Sequence, residues 1–72
     1  MKLAEIGEGA RARIVRVGGD EAVKRHLGAL GFVAGTIVRV VRISYGNMII
    51  AVHESRIAVN NETAEGVEVA AV

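Results

Sequence analysis

The sequence contains no cysteine, no proline and no tryptophan, and its only aromatic residues are one Tyr and one Phe. Without cysteine, the chain can form neither a disulfide nor a thiolate-based metal site. Because aromatic side chains are so scarce, Val, Ile, Leu and Ala must supply the core. Without proline, the nine glycines are the main markers of turns.

The chain also lacks a large excess of either charge, because it contains nine Lys or Arg and eight Asp or Glu. This balance is not typical of nucleic-acid-binding proteins, whose basic residues cluster. The longest clean apolar run, Met48 to Val52, is far shorter than the roughly 20 residues that span a bilayer. Glu5 and Glu8 interrupt any signal-peptide pattern at the start. We therefore expect one cytoplasmic domain over residues 1–72, with no membrane insertion and no nucleic-acid partner.

One helix is predicted, over about residues 20–30. Asp20 is a typical N-cap residue, and Gly31 suits the left-handed position that follows a helix. Between them, apolar residues recur at i, i+4 and i+7, which places them on one stripe of the helix. These residues are Val23, Leu27 and Leu30.

Short β-branched segments make up most of the remaining chain. They are predicted as strands over 10–17, 36–45, 48–53, 57–59 and 67–69. The polar segment 60–65 suits a single helical turn with an Asn cap. This order predicts a mainly β fold, a small closed barrel of about five strands with one inserted α-helix.

The two longest strands are joined by Gly46-Asn47, which is typical of a two-residue hairpin turn. Such a turn would place Tyr45 opposite Met48 and Arg39 opposite Glu54. Both faces of this hairpin would carry apolar residues, so we expect a bulge or cover on both sides. Which face lies in the core stays open.

The tip of this hairpin is the strongest candidate for an interaction site. Tyr45, Met48 and Ile49 cluster where a monomeric barrel would favour polar residues. We predict that they form an apolar partner-binding patch with Arg42 on its rim. The alternative is that the tip folds back over the core, since single exposed apolar residues are normal.

Catalytic, cofactor and metal sites are not indicated. His26 and His53 are the only histidines, they lack a metal-ligand spacing, and we interpret them as surface residues. No nucleophile elbow or phosphate-binding loop is present. Six arginines could be assembled into a basic face, and we interpret them as solvated residues balanced by neighbouring carboxylates. They are Arg11, Arg13, Arg16, Arg39, Arg42 and Arg56.

The segment from Lys24 to Gly35 resembles the FeoA family (ferrous iron transport protein A), whose domain also occurs at the C-terminus of iron-dependent repressors. The similarity lies in a helix that carries Leu27 and ends in Leu30-Gly31, and in a glycine, Gly35, that opens a strand. Gly46 matches the family's central hairpin. Ala34 stands where the family usually has proline, which makes the turn less rigid.

The resemblance implies an SH3-like barrel without catalytic residues. It also implies an accessory role in ferrous iron uptake, with docking on the cytosolic, GTPase-bearing part of a membrane ferrous-iron permease. Two alternatives stay open: a detached regulatory domain of an iron-dependent repressor, and a small nucleic-acid-binding barrel. Salt-dependent binding to an oligonucleotide would indicate the second alternative.

Overall fold

The computed structural model describes residues 1–72 and confirms the mainly β fold with five strands and one inserted helix. The strands form one antiparallel sheet in the order β4-β3-β2-β1-β5. The elements are a 3₁₀ turn Leu3–Glu5, β1 Arg11–Val17, α1 Glu21–Ala29, β2 Ile37–Ser44, β3 Asn47–Val52, β4 Ser55–Asn60, α2 Asn61–Glu65 and β5 Val67–Ala71. Neither helix has the length and apolar character needed to cross a bilayer.

Local capping interactions set the ends of both helices, as predicted. The Asp20 carboxylate accepts a hydrogen bond from the Ala22 N–H at 2.7 Å, which satisfies one of the free amides of the first turn of α1. After α1, Gly31 takes a φ of +89° and lets the chain turn away. At α2 the Asn60 side chain accepts from the Thr63 N–H at 2.8 Å.

The predicted apolar stripe of α1 is only partly buried. Leu27 is 6% exposed and joins the core beside Phe32, which is 1% exposed. Val23 and Leu30, by contrast, are each more than one-third exposed. Helical spacing therefore places the three residues on one side of α1, but only Leu27 is covered by the barrel.

The turn of the β2–β3 hairpin lies one residue earlier than predicted, so Met48 lies opposite Ile43 and not opposite Tyr45. Its turn is Tyr45-Gly46, not Gly46-Asn47, and both turn residues have positive φ, as a type I′ turn requires. Ser44 therefore pairs with Asn47, and β3 begins at Asn47.

A bulge at Val41 then changes which side chains of β2 share a face with those of β3. Val40 pairs with Ile50 and Val38 with Val52, so that four core side chains point to the same side. Because of this shift Arg39 lies opposite Ala51, and the predicted pairing of Arg39 with Glu54 is wrong.

The core contains fifteen buried residues, and all of them are apolar. They are Leu3, Ile6, Ala12, Ile14, Leu27, Phe32, Val38, Val40, Met48, Ile50, Val52, Val59, Ala64, Val67 and Val69. The chain start contributes through Leu3 and Ile6, and the Val69 N–H donates to the Met1 carbonyl at 2.7 Å. The N-terminal segment thus covers part of the outer edge of β5.

Candidate functional site

The hairpin tip is less apolar than the sequence predicts. Met48 is 3% exposed and belongs to the core, so its assignment to the partner-binding patch is wrong. The physical reason is that Met48 lies on the same face of β3 as Ile50 and Val52, and this face is the buried one. Tyr45 stands fully in solvent, Arg42 is exposed, and Ile49 is half-buried on the outer side.

The strand register assembles arginines into one row across four strands. Arg11 on β1 lies opposite Arg39 on β2, Arg39 lies opposite Ala51 on β3, and Ala51 lies opposite Arg56 on β4. Directly paired residues of antiparallel strands point to the same face. Their chain neighbours Ala12, Val38, Val40, Ile50 and Val52 are all buried, so the row lies on the outer face.

Two further rows extend this face on either side. Arg13 pairs with Ile37 in one row. In the other, Arg42 pairs with Ile49, and Ile49 pairs with Ala58. The five arginines of the three rows are all exposed, and we call this surface the arginine face. Its members are Arg11, Arg13, Arg39, Arg42 and Arg56.

No arginine of the arginine face forms an ion pair with a carboxylate of the protein. The two ion pairs of the structure join the Met1 amino group to Glu68 and Lys24 to Glu21, and neither includes an arginine. The five arginines are exposed, as the interpretation of solvated residues expects, and none of them is in a direct ion pair with a carboxylate. The sixth arginine, Arg16, lies outside these three rows, at the far end of β1, where it is opposite Glu68 on β5.

Most acidic residues lie on other elements than β1–β4. Glu62 and Glu65 are on α2, and Glu21 is in the first turn of α1. The Glu8 carboxylate accepts a hydrogen bond from the Ile43 N–H at 2.7 Å. The strands β1–β4 thus contain no acidic residue, and Glu54 lies in the turn between β3 and β4, two residues before Arg56. The alternation of Arg11 and Arg13 in β1 hints at this face, but grouping them with Arg39 and Arg56 requires the register.

The residues of the motif near α1 take structural positions. Gly31 lies against the ring of His53, where a β-carbon would be 2.8 Å from the imidazole Cδ2. The Gly35 N–H donates to the Ile14 carbonyl at 2.7 Å, which joins the start of β2 to β1. Leu27 is buried, and Gly46 forms the hairpin turn with Tyr45.

Titratable side chains form no recognisable reaction centre. His26 and His53 are both exposed, and no group of three or more His, Asp or Glu side chains is suitably placed to hold a metal ion. One open recess lies between the β1–α1 loop and α2. It is lined by Gly18, Gly19, Asp20, Val23, Glu62, Thr63 and Gly66.

Solved structures similar to this chain include FeoA proteins. FeoA from Chlorobium tepidum is 30% identical with a TM-score of 0.96, over 100% of this chain and 70% of that one. FeoA from Stenotrophomonas maltophilia, in complex with zinc, is 29% identical with a TM-score of 0.82, over 96% of this chain and 88% of that one. That protein is described as an SH3 domain protein, and the predicted SH3-like barrel is confirmed.

A manganese-dependent transcriptional repressor shares the fold alone, at 17% identity and a TM-score of 0.87, over 100% of this chain and 41% of the repressor. No curated protein sequence matches this chain. The family model of the FeoA domain matches residues 1–71. The resemblance seen around Leu30-Gly31 is therefore confirmed, and the chain belongs to the FeoA family.

Proposed function

We propose that this chain is a non-catalytic accessory protein of ferrous iron uptake. It acts in the cytoplasm by docking on the GTPase-bearing part of a membrane ferrous-iron permease. The observation that carries the proposal is the family match over residues 1–71. It is supported by the Stenotrophomonas maltophilia FeoA, which is described as a suggested activating factor of bacterial ferrous iron transport.

The mechanism is differential binding. A barrel that binds one conformation of the permease more tightly than another shifts the population toward that conformation. The exposed Tyr45 and Arg42 at the hairpin tip, with Ile49 beside them, are the residues that we assign to this contact. Tyr and Arg are the side chains that most often dominate the free energy of binding at protein interfaces.

A titration of the isotope-labelled chain with the purified GTPase domain of the permease tests this proposal. We expect saturable chemical-shift changes, and we expect the affinity to differ between nucleotide-bound states of the domain. Tyr45→Ser should weaken binding by about tenfold, as loss of an interface aromatic does. Val23→Ser, on α1, is the matched control and should leave binding unchanged. Absence of binding at concentrations of about 500 µM, where only millimolar affinities escape detection, would contradict the proposal.

A second candidate function is that of a detached regulatory domain. The fold match to the manganese-dependent repressor, over 41% of that protein, favours it. In that case the chain should bind the DNA-binding part of an iron-dependent repressor, and not the GTPase domain. Running both titrations side by side separates the two functions.

A further inference from the structure

The arginine face carries an unfavourable arrangement of charge. Arg11 and Arg39 lie directly opposite each other, and like charges in this position destabilise a sheet. Arg39 and Arg56 lie on either side of Ala51 in the same row. A surface selected only for stability would place a carboxylate among these residues, but none of these arginines is in an ion pair.

The spaces between the arginines are filled by small or apolar side chains. Ala51 lies at the centre of the face, flanked by Ile49 and Ala58, while Ile37 is 46% exposed at one end. The face thus has short apolar side chains at its centre and guanidinium groups around them. Protein interfaces have a similar composition, with Arg enriched and apolar groups in the middle. The face therefore has the composition of an interface whose partner must supply negative charge.

The same face lacks the features of a nucleic-acid surface. Phe32 is buried and Tyr45 projects from the hairpin tip, so no aromatic side chain lies among the rows. Single-stranded nucleic acids are bound largely by stacking on such side chains. The net charge of only +1 also gives little long-range attraction for a polyanion.

We propose that the arginine face is a docking surface for an acidic stretch of a partner protein, in which Asp or Glu side chains pair with Arg39, Arg42 and Arg56. Arg binds carboxylates through two parallel hydrogen bonds, which gives both orientation and strength. This inference rests on the proposed function only in assuming that the chain docks on a protein. It adds the surface and the chemistry of the partner.

A fluorescently labelled synthetic peptide, in which Glu and Asp alternate with Leu, is the probe. The test variant replaces Arg39, Arg42 and Arg56 with Gln. The matched control replaces Arg16, Lys24 and Arg25 with Gln, which removes the same charge from other surfaces. We expect the test variant to bind at least about tenfold more weakly than the native chain, and the control to bind within about twofold. Chemical-shift changes in the native chain should map to β1–β4.

Several results would overturn the inference. Equal weakening of binding in the two variants would mean that only net charge matters. Tighter binding of a single-stranded oligonucleotide, or of phosphatidylserine vesicles, at the same ionic strength would assign the face to nucleic acid or to membrane. If the native chain self-associates and the test variant does not, the arginine face binds the acidic side of a second copy of the chain. Arg42→Gln alone, measured in the same way, keeps the test valid if the triple variant unfolds.

Different results would contradict the proposed function and this inference. If the permease GTPase domain binds the native chain and the test variant equally, docking stands and the arginine face is not its surface. If the acidic peptide binds the native chain but the GTPase domain does not, the face stands and the permease is not the partner.

Discussion

The backbone of Gly31 packs against the imidazole ring of His53: a β-carbon at Gly31 would be 2.8 Å from Cδ2 and 3.3 Å from Nε2. Gly31 follows α1, and His53 is in the β3–β4 turn, so this contact joins the end of the helix to the sheet. Both residues have positive φ, +89° at Gly31 and +55° at His53. Glycine is thus required at position 31 both by the backbone conformation and by the neighbouring ring.

Gly31→Ala should destabilise the protein more than Gly35→Ala. Gly35 has a similar φ of +93° but open space around it, so its substitution introduces backbone strain alone, about 1–2 kcal/mol. Gly31→Ala adds the displacement of the His53 ring, about 0.5–1.5 kcal/mol if the ring leaves its rotamer. Urea unfolding of the two variants measures the difference. In a His53→Ala background this difference should vanish, and its persistence would contradict the contact.

Glu8 acts as a hydrogen-bonding partner for β2 beyond the end of β1. The backbone hydrogen bonds between β2 and the chain before β1 end at Val40, which bonds to Gly9 and Ala10, and past it the Ile43 N–H donates to the Glu8 carboxylate at 2.7 Å. We expect Glu8→Ala to lower the free energy of unfolding by about 0.5–1.5 kcal/mol through loss of this hydrogen bond. Glu8→Gln keeps an acceptor oxygen and should retain most of the stability. Equal losses in the two variants would show that charge, not the hydrogen bond, matters.

Truncation of Met48 should lower the free energy of unfolding far more than truncation of Tyr45. Met48→Ala removes a buried core side chain and should destabilise by about 2–5 kcal/mol. Tyr45→Ser removes a side chain that contacts only solvent, so the free energy of unfolding should change by about 0.5 kcal/mol or less. Denaturant unfolding measures both. A large loss in Tyr45→Ser would mean that the hairpin tip folds back over the core.

The type I′ turn at Tyr45-Gly46 offers a stabilising substitution. Tyr45 has a φ of +49°, a conformation that Asn adopts more readily than other non-glycine residues. Tyr45→Asn should therefore raise the free energy of unfolding by about 0.3–1 kcal/mol. Thermal unfolding checks this expectation, with Asn47→Ala, outside the turn, as a control that should not stabilise.

Relief of the Arg11–Arg39 opposition should also stabilise the isolated protein. Arg39→Gln removes a like-charge pair, and we expect the melting temperature to rise by about 1–4 °C at low ionic strength. Arg16→Gln is the matched control, because Arg16 faces Glu68 and its loss should lower the melting temperature or leave it unchanged. The difference between the two variants should shrink in high salt, where exposed charges are screened. A lower melting temperature for Arg39→Gln would contradict the unfavourable pairing.

The sequence alone determined the features that depend on neighbouring residues. The Asp20 cap, the helix end at Gly31 and the Asn60 cap arise within a few residues of chain, and the structure reproduces all three. The family resemblance depended on a similarly local run around Leu30-Gly31, and the match over residues 1–71 confirmed it.

Only the tertiary structure decided which side chains face outward together. A bulge at Val41 placed Val38 and Val40 on the same face as Met48, Ile50 and Val52, and the register of β1 with β2 set Arg39 opposite Arg11. Successive side chains of a strand alternate between its two faces, so one residue of register exchanges the whole set. The register itself follows from burying Val38, Val40, Ile50 and Val52 together, a requirement of the assembled barrel that no single segment contains.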